Sequence, residues 1–157
     1  RKQLSTLYFS ALMHDIGKIF LSRKVLNKPE RLNNAEMNYV QQHSLFGADH
    51  IKQKLDNNSL FNKTNQNKIV FNIRHHHEYL DGSGYPNGLN YTEIPISTQI
   101  LTLSDVYVAL SEKRAYKKSW DKTEIFNYLK KYQSLWFNKE LVELLETLCY
   151  EQQIINN

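Results

Sequence analysis

One cysteine in 157 residues rules out a disulfide within the chain, and with it the small cross-linked scaffolds that depend on one. That residue, Cys149, lies in an apolar run, which fits a reduced, cytoplasmic setting. No apolar stretch approaches the ~20 residues that cross a bilayer, and no signal peptide is legible. Charge of one sign is also scarce. Twenty Lys and Arg against 16 Asp and Glu leave a net charge of +4, which suits an anionic ligand but is too mild for a nucleic-acid groove, so no DNA partner is expected. Glycine and proline number only 5 and 3, and most of them fall between Gly82 and Pro95. The rest of the chain is free to be helical. With 41% hydrophobic residues and no internal repeat, it is long enough for one domain with a real core.

The helical reading starts with Leu4, Leu7, Tyr8, Ala11 and Leu12, whose spacing predicts a first helix that ends at His14-Asp15. Gly17 fits a helix stop. After a polar connection marked by Lys28-Pro29, Asn33 and Glu36 have capping-box spacing. They open one helix that turns Met37, Val40, Leu45, Ala48, Ile51 and Leu55 inward, with Gly47 as a kink or a close contact. The Asn- and Lys-rich run from Asp56 to Lys68 reads as a solvated loop or a frayed helix end. A third helix buries Ile69, Val70 and Ile73 and closes at three histidines. Residues 81–91 form the one extended irregular loop. Pro95 fits the first turn of a fourth helix with Ile96, Ile100, Leu103, Tyr107 and Leu110 as its stripe, running to about Glu112. Asp121 and Glu124 cap a fifth helix, with Ile125, Tyr128, Leu129 and Tyr132. Asn138 caps a sixth, with Leu141, Leu144, Leu145 and Leu148 inside. The expected fold is an all-α bundle of about six or more helices. Trp120, Tyr132, Trp136 and Phe137 belong either to its core or to an intermolecular contact.

All six histidines lie between residues 14 and 77. His43 sits on the inward side of its helix, where a lone histidine is commonly a satisfied core residue. Three consecutive imidazoles at 75–77 are harder to explain by packing, and the helical phase lets both His76 and His77 face inward. Asp105 is a carboxylate beside the stripe of Leu101 and Val108, where it is expensive unless paired. His14, His43, His76, His77, Asp15 and Asp105 make a nitrogen and oxygen donor set without thiolate, suited to iron, manganese, zinc, nickel or cobalt. Six donors fit two metals that share a bridging carboxylate, and such a pair supplies hydroxide at neutral pH for phosphoester hydrolysis. A zinc deaminase would require a cysteine pair that the chain lacks. Lys18 lies within reach of an anion held at the metal.

With these residues in hand, nearly the whole chain resembles the HD-GYP family, a branch of the HD phosphohydrolases. His14-Asp15-Ile16-Gly17-Lys18 matches HDxGK, and Val25 to Pro29, Leu32, Glu36 and His43 follow the family's next pattern. His76-His77-Glu78 and Asp81-Gly82-Ser83-Gly84-Tyr85-Pro86 match HHExxDGxGYP without a gap. Gly88-Leu89, Ile94-Pro95, Asp105 and Arg114-Ala115-Tyr116-Lys117 follow in register. The resemblance implies an HD-domain helical fold and a bacterial, cytoplasmic phosphodiesterase. It would cleave cyclic di-GMP to linear pGpG or GMP with two or three metals, usually iron or manganese. It implies that Asp15 bridges two metals, that His14 and Asp105 hold one, and that His43 and His76 hold the other. His77 serves either or a third. Lys18 contacts a phosphate and acts with His14 and Asp15 in catalysis, while Tyr85, Arg114 and Lys117 line the ligand groove. A sensor or receiver domain in the same parent chain, a homodimer or a GGDEF-type partner would accompany it.

The chain departs from the family at three places. A metal histidine upstream of the pair has no counterpart here, so residues 1–157 read as an HD-GYP domain without its N-terminal helix or helices and without an upstream sensor domain. A second aspartate of the family is Val108, and a proline is Ala115. These departures keep two alternatives open: a regulatory module that binds nucleotide without turnover, and a hydrolase of another cyclic dinucleotide or a phosphomonoester.

Overall fold

The computed structural model describes residues 2–57, 61–112 and 119–155. Among them are eight α-helices and one 3-10 turn, with no strand, as the glycine- and proline-poor sequence predicts. α1 spans Lys2–Met13, and a 3-10 turn spans Ile16–Phe20. α2 (Arg23–Leu26), α3 (Asn34–Gln41), α4 (His43–Asp56) and α5 (Lys63–His75) follow. After the loop come α6 (Ile96–Ser111), α7 (Lys122–Tyr132) and α8 (Lys139–Ile155). No helix among the described residues is long and apolar enough to cross a membrane.

The caps fall where the sequence places them. Asn33 with Glu36 and Asp121 with Glu124 both form reciprocal capping boxes, each satisfying two backbone N–H groups that the first helical turn leaves unpaired. The Asn138 side chain accepts from Glu140 N and Leu141 N and so opens α8. Two boundaries differ. The single helix expected from Asn33 to Leu55 is broken at Gln42, whose N–H bonds Tyr39 O, while the next ring, His43, bonds Val40 O. A side-chain donor on that carbonyl lets the chain change direction there, and α3 leaves Met37 44% exposed. Second, α5 begins at Lys63 inside the run expected to be a solvated loop or a frayed helix end, because the Asn62 side chain caps Asn65 N.

Two cores result. Ala48, Ile51 and Leu55 of α4 meet Ile69 and Ile73 of α5, with Phe9, Met13 and Ile16 against them. Leu103 of α6, Ile125, Phe126 and Leu129 of α7, Phe137, and Val142 of α8 make the second. Trp120, Tyr132 and Trp136 pack on the second core, so the core alternative for the aromatics holds. Tyr132 and Trp136 stack with centroids 4.0 Å apart, and Tyr79 stacks on the same indole at 4.7 Å.

α1 is rotated away from the expected stripe. Leu4, Tyr8 and Leu12 are 70%, 68% and 59% exposed, whereas Thr6 and Ser10 are buried. Hydrogen bonding overrides hydrophobic phase here, for Ser10 is held from α5. Ile96, Leu144 and Leu148, also expected inside, are exposed, and Val142 takes the inner position on α8.

Candidate metal centre

α1 ends one residue before His14, and the 3-10 turn starts one residue after Asp15, so the pair occupies the bend between them. Such a bend lets two adjacent side chains converge, which the ~100° step of a continuous helix does not. Gly17 holds the bend in place, and its role is contact rather than helix termination. A Cβ there would sit 1.9 Å from His43 O and 2.6 Å from Gly47 N. Only glycine allows the turn to lie on the first residues of α4, and this apposition brings Asp15 to His43. Gly47 completes the close contact without kinking its helix.

The six donors predicted from sequence are brought together. Asp15, His43, His76 and His77 offer ligand atoms all within 4.8 Å of one another, and His14, His76 and Asp105 form a second such set. His76 belongs to both. Asp15 reaches both sides, with Oδ1 3.3 Å from His43 Nε2 and Oδ2 3.6 Å from His14 Nε2. His14 Nε2 lies 3.6 Å from Asp105 Oδ1, and His77 Nδ1 lies 3.9 Å from Asp105 Oδ2.

The chemistry of the donors fits a cation. The Nδ1 atoms of His14, His43 and His76 lie 2.7, 2.8 and 2.8 Å from the carbonyls of Ala11, Val40 and Ile73. A carbonyl only accepts, so each Nδ1 carries the proton and each neutral ring presents a bare lone pair at Nε2. Yet His43 Nε2 lies 3.3 Å from both His76 Nε2 and Asp15 Oδ1. Lone pairs and carboxylate oxygens facing one another at such distances repel, and a cation among them removes the repulsion. Burial, reinforced by the neighbouring imidazoles, lowers His76 to about 4. Burial also lowers His77 and His43, so these rings stay neutral ligands. At His14 burial acts in the same downward sense, but the facing Asp105 carboxylate, the Ala11 carbonyl and Asp15 outweigh it and raise the group. Asp105 is held to about 2: burial pushes it up, and the facing His14 ring and the surrounding imidazoles overcome that.

Lys18 Nζ lies 2.5 Å from Asp15 Oδ2, with its side chain 43% exposed. Tyr85 stacks on His77 with ring centroids 4.7 Å apart, so the loop of residues 79–91 walls the donor cluster. Asp81 fixes the turn through Ser83 N, as its residue type predicts. Gly84 needs no unusual dihedral. A Cβ there would lie 2.4 to 2.5 Å from Tyr79 N, Glu78 Cα and His77 O, so glycine permits direct contact with the histidine turn. Val108 is 47% exposed. Arg114, Ala115 and Lys117 lie outside the described residues.

Sequence reasoning gave no role to Glu78. It is 1% exposed, and its two oxygens accept from Asn87 N at 2.7 Å and Leu89 N at 3.0 Å. A carboxylate directly after two inward histidines was the available signal. His75 is buried too but turns away from the cluster, toward Phe71 O and Asn87 Oδ1.

Comparison with known proteins gives the family and the fold. A family model described as the HD domain matches residues 1–141. The chain is 35% identical over 134 residues to 3'3'-cGAMP-specific phosphodiesterase 2 of Vibrio cholerae, covering 85% of this chain and 24% of that protein. It is 32% identical over 144 residues to cyclic di-GMP phosphodiesterase response regulator RpfG of Xanthomonas campestris, covering 92% and 36% respectively. The chain thus spans about a quarter to a third of the relatives it matches. A crystal structure of a cyclic GMP-AMP specific phosphodiesterase of Vibrio cholerae, V-cGAP3, superposes with a TM-score of 0.67 at 19% identity, over 98% of this chain and 40% of that one, which shows the shared fold.

Proposed function

The chain belongs to the HD domain family, in its HD-GYP branch, and on that premise we propose that it is the catalytic part of a metal-dependent phosphodiesterase for cyclic dinucleotides, cyclic di-GMP first. The observation that carries the reading is the convergence of bare Nε2 atoms and carboxylate oxygens in two sets joined by Asp15 and His76. His43, His76 and His77 would hold one ion and His14 and Asp105 another, with Asp15 between them. Iron or manganese suits these donors best, with zinc, nickel or cobalt as substitutes and a third ion at His77 as the largest occupancy. Such ions, when bound, supply Lewis acidity and water of lowered pKa at neutral pH, the resources that phosphodiester hydrolysis needs.

The protein's own groups do the rest. Carbonyl bonds fix three imidazoles in one tautomer with no rearrangement on ligand arrival. Lys18 provides a half-exposed positive charge beside Asp15 for a phosphate oxygen. Tyr85, backed by His77, gives a flat wall for a base, and the family resemblance assigns ligand contact to Arg114 and Lys117. Product is pGpG, GMP or both. The chain works in the bacterial cytoplasm within a longer signalling protein that has a sensor or receiver domain, and it pairs there with a second copy or a GGDEF-type partner.

Metal content and turnover test this together. Protein loaded anaerobically with Fe(II) or Mn(II) is expected to hold two ions and cleave cyclic di-GMP, and Asp15→Ala to lose both properties. Two ions retained in Asp15→Ala would remove its bridging role. The names of the relatives divide between cyclic di-GMP and cGAMP, so the panel includes both. Faster cleavage of 3'3'-cGAMP would reassign the substrate, and metal-free protein that binds nucleotide without turnover would make the chain a regulatory module.

A further inference from the structure

Beneath the donors lies a second polar cluster that the proposed reaction does not use. Asn72, on α5, is 1% exposed, and both ends of its amide are engaged. Nδ2 donates to Ser10 Oγ of α1 at 3.1 Å, and Oδ1 accepts from Ser97 Oγ and Thr98 Oγ1 of α6 at 3.0 and 2.8 Å. Ser10 Oγ donates in turn to Thr6 O at 2.9 Å. One amide thus ties three helices together, and Ser10 and Thr98 are fully buried with it.

The register of this tie is informative. Ser10 lies four residues before His14, Asn72 four before His76, and Thr98 seven before Asp105. Those spacings are one turn, one turn and two turns of helix, so each hub residue shares a face with one donor. The three donors are His14, His76 and Asp105, which make up the second ligand set. The first set shares His76 and adds His77, but its other two donors, Asp15 and His43, come from the bend and α4, which the Gly17 contact holds.

We infer that Asn72 is a positioning residue that sets the separation of His14, His76 and Asp105, and with it the affinity of the ion at His14 and Asp105, while the ion at Asp15, His43, His76 and His77 has the Gly17 contact as a second support. The inference rests on the metal reading above and adds which groups tune which ion. An apolar residue at 72 would let α1 turn its exposed Leu4, Tyr8 and Leu12 toward the bundle, because apolar contact does not fix rotation as a shared amide does. Removing an outer partner of a metal ligand weakens the metal by about 10- to 100-fold, and the hub acts at a similar remove.

Mn²⁺ titration of the metal-free chain, with free Mn²⁺ counted by EPR, tests this. Two classes of site are expected in the wild type. In Asn72→Leu one class weakens by about tenfold or more while the other weakens clearly less. Ser10→Ala, which removes one bond and keeps the rest, moves the same class in the same direction by less, and it decides the matter if Asn72→Leu does not fold. Melting in EDTA reports stability apart from binding. Equal weakening of both classes, or a lowered melting temperature with both affinities intact, overturns the inference and makes Asn72 a packing residue only. A wild type that takes up no Mn²⁺ overturns the metal reading itself, which separates the two failures.

Discussion

The two cores of this chain are made of different materials. The one shared by α6, α7 and α8 buries Leu103, Ile125, Phe126, Leu129, Phe137 and Val142, with aromatic rings packed on it and no titratable side chain among the fully buried ones. The region of α1, α4 and α5 also buries isoleucines, but beside them lie His43, His76, Asn72, Ser10 and Glu78. Each large apolar group in the first material stabilises by about 1.5–3 kcal/mol on burial. A buried polar group contributes little net even when bonded, and destabilises when not. One half therefore folds the chain, and the other holds groups in a geometry that stability alone would never select.

Substitutions at the centre of each half test that division. Asp15→Ala has the largest expected effect on function, with turnover lost and metal occupancy with it. Melting in EDTA shifts little, within about 0.5 kcal/mol, because its side chain is 39% exposed. Leu129→Ala should do the reverse. Leu129 is fully buried in the second core, so calorimetry is expected to show a loss of about 2–5 kcal/mol. The fraction that remains folded keeps its metal affinity. A Leu129→Ala protein that folds fully yet binds no metal would show that the two halves are not independent.

The second half was the more legible in sequence, and the reason is physical. The capping box of Asp121 with Glu124 and the helical spacing of Ile125 and Leu129 are local signals, and these survive folding. The donor residues were legible for another cause: packing alone gives no reason to gather histidines and an aspartate in apolar surroundings, whereas a cation does. The pattern misled at α1, where hydrophobic phase pointed to Leu4, Tyr8 and Leu12 but Ser10 went inward. That choice depends on Asn72, 62 residues away, and no local pattern carries it. The break at Gln42 escaped for a similar reason, since a side chain rather than a proline or glycine redirects the helix. Glu78 escaped because its partners are backbone N–H groups of a loop, which have no residue signature.

Gly17→Ala cuts across the division. Its methyl would meet backbone at His43 O, 1.9 Å away, and backbone cannot rotate aside as a side chain can. The bend must lift off α4, at a cost of about 3 kcal/mol, the upper end for overpacking, visible in denaturant melts. Asp15 would leave His43 at the same time, so metal loss should accompany the stability loss. Unchanged stability with intact metal binding would mean that the two backbones are not in contact.

The smallest expected effect belongs to Glu78→Gln, and it separates loop from metal. Glu78 bonds two N–H groups of the loop that carries Tyr85, and it belongs to neither ligand set. A glutamine of the same shape keeps one acceptor and turns an NH₂ toward the other N–H. One backbone donor is then left unpaired in a buried place, at about 1–3 kcal/mol. The strain falls on the segment from Asn87 to Leu89, so the Tyr85 ring loses its fixed place on His77 while the imidazoles keep their carbonyl bonds. Metal occupancy should therefore stay at the wild-type level. KM for the cyclic dinucleotide should rise more than kcat falls, because Tyr85 is a wall for the ligand rather than a donor to the metal. Loss of metal from Glu78→Gln would mean that the loop, and not only the helices, holds the donor cluster in shape.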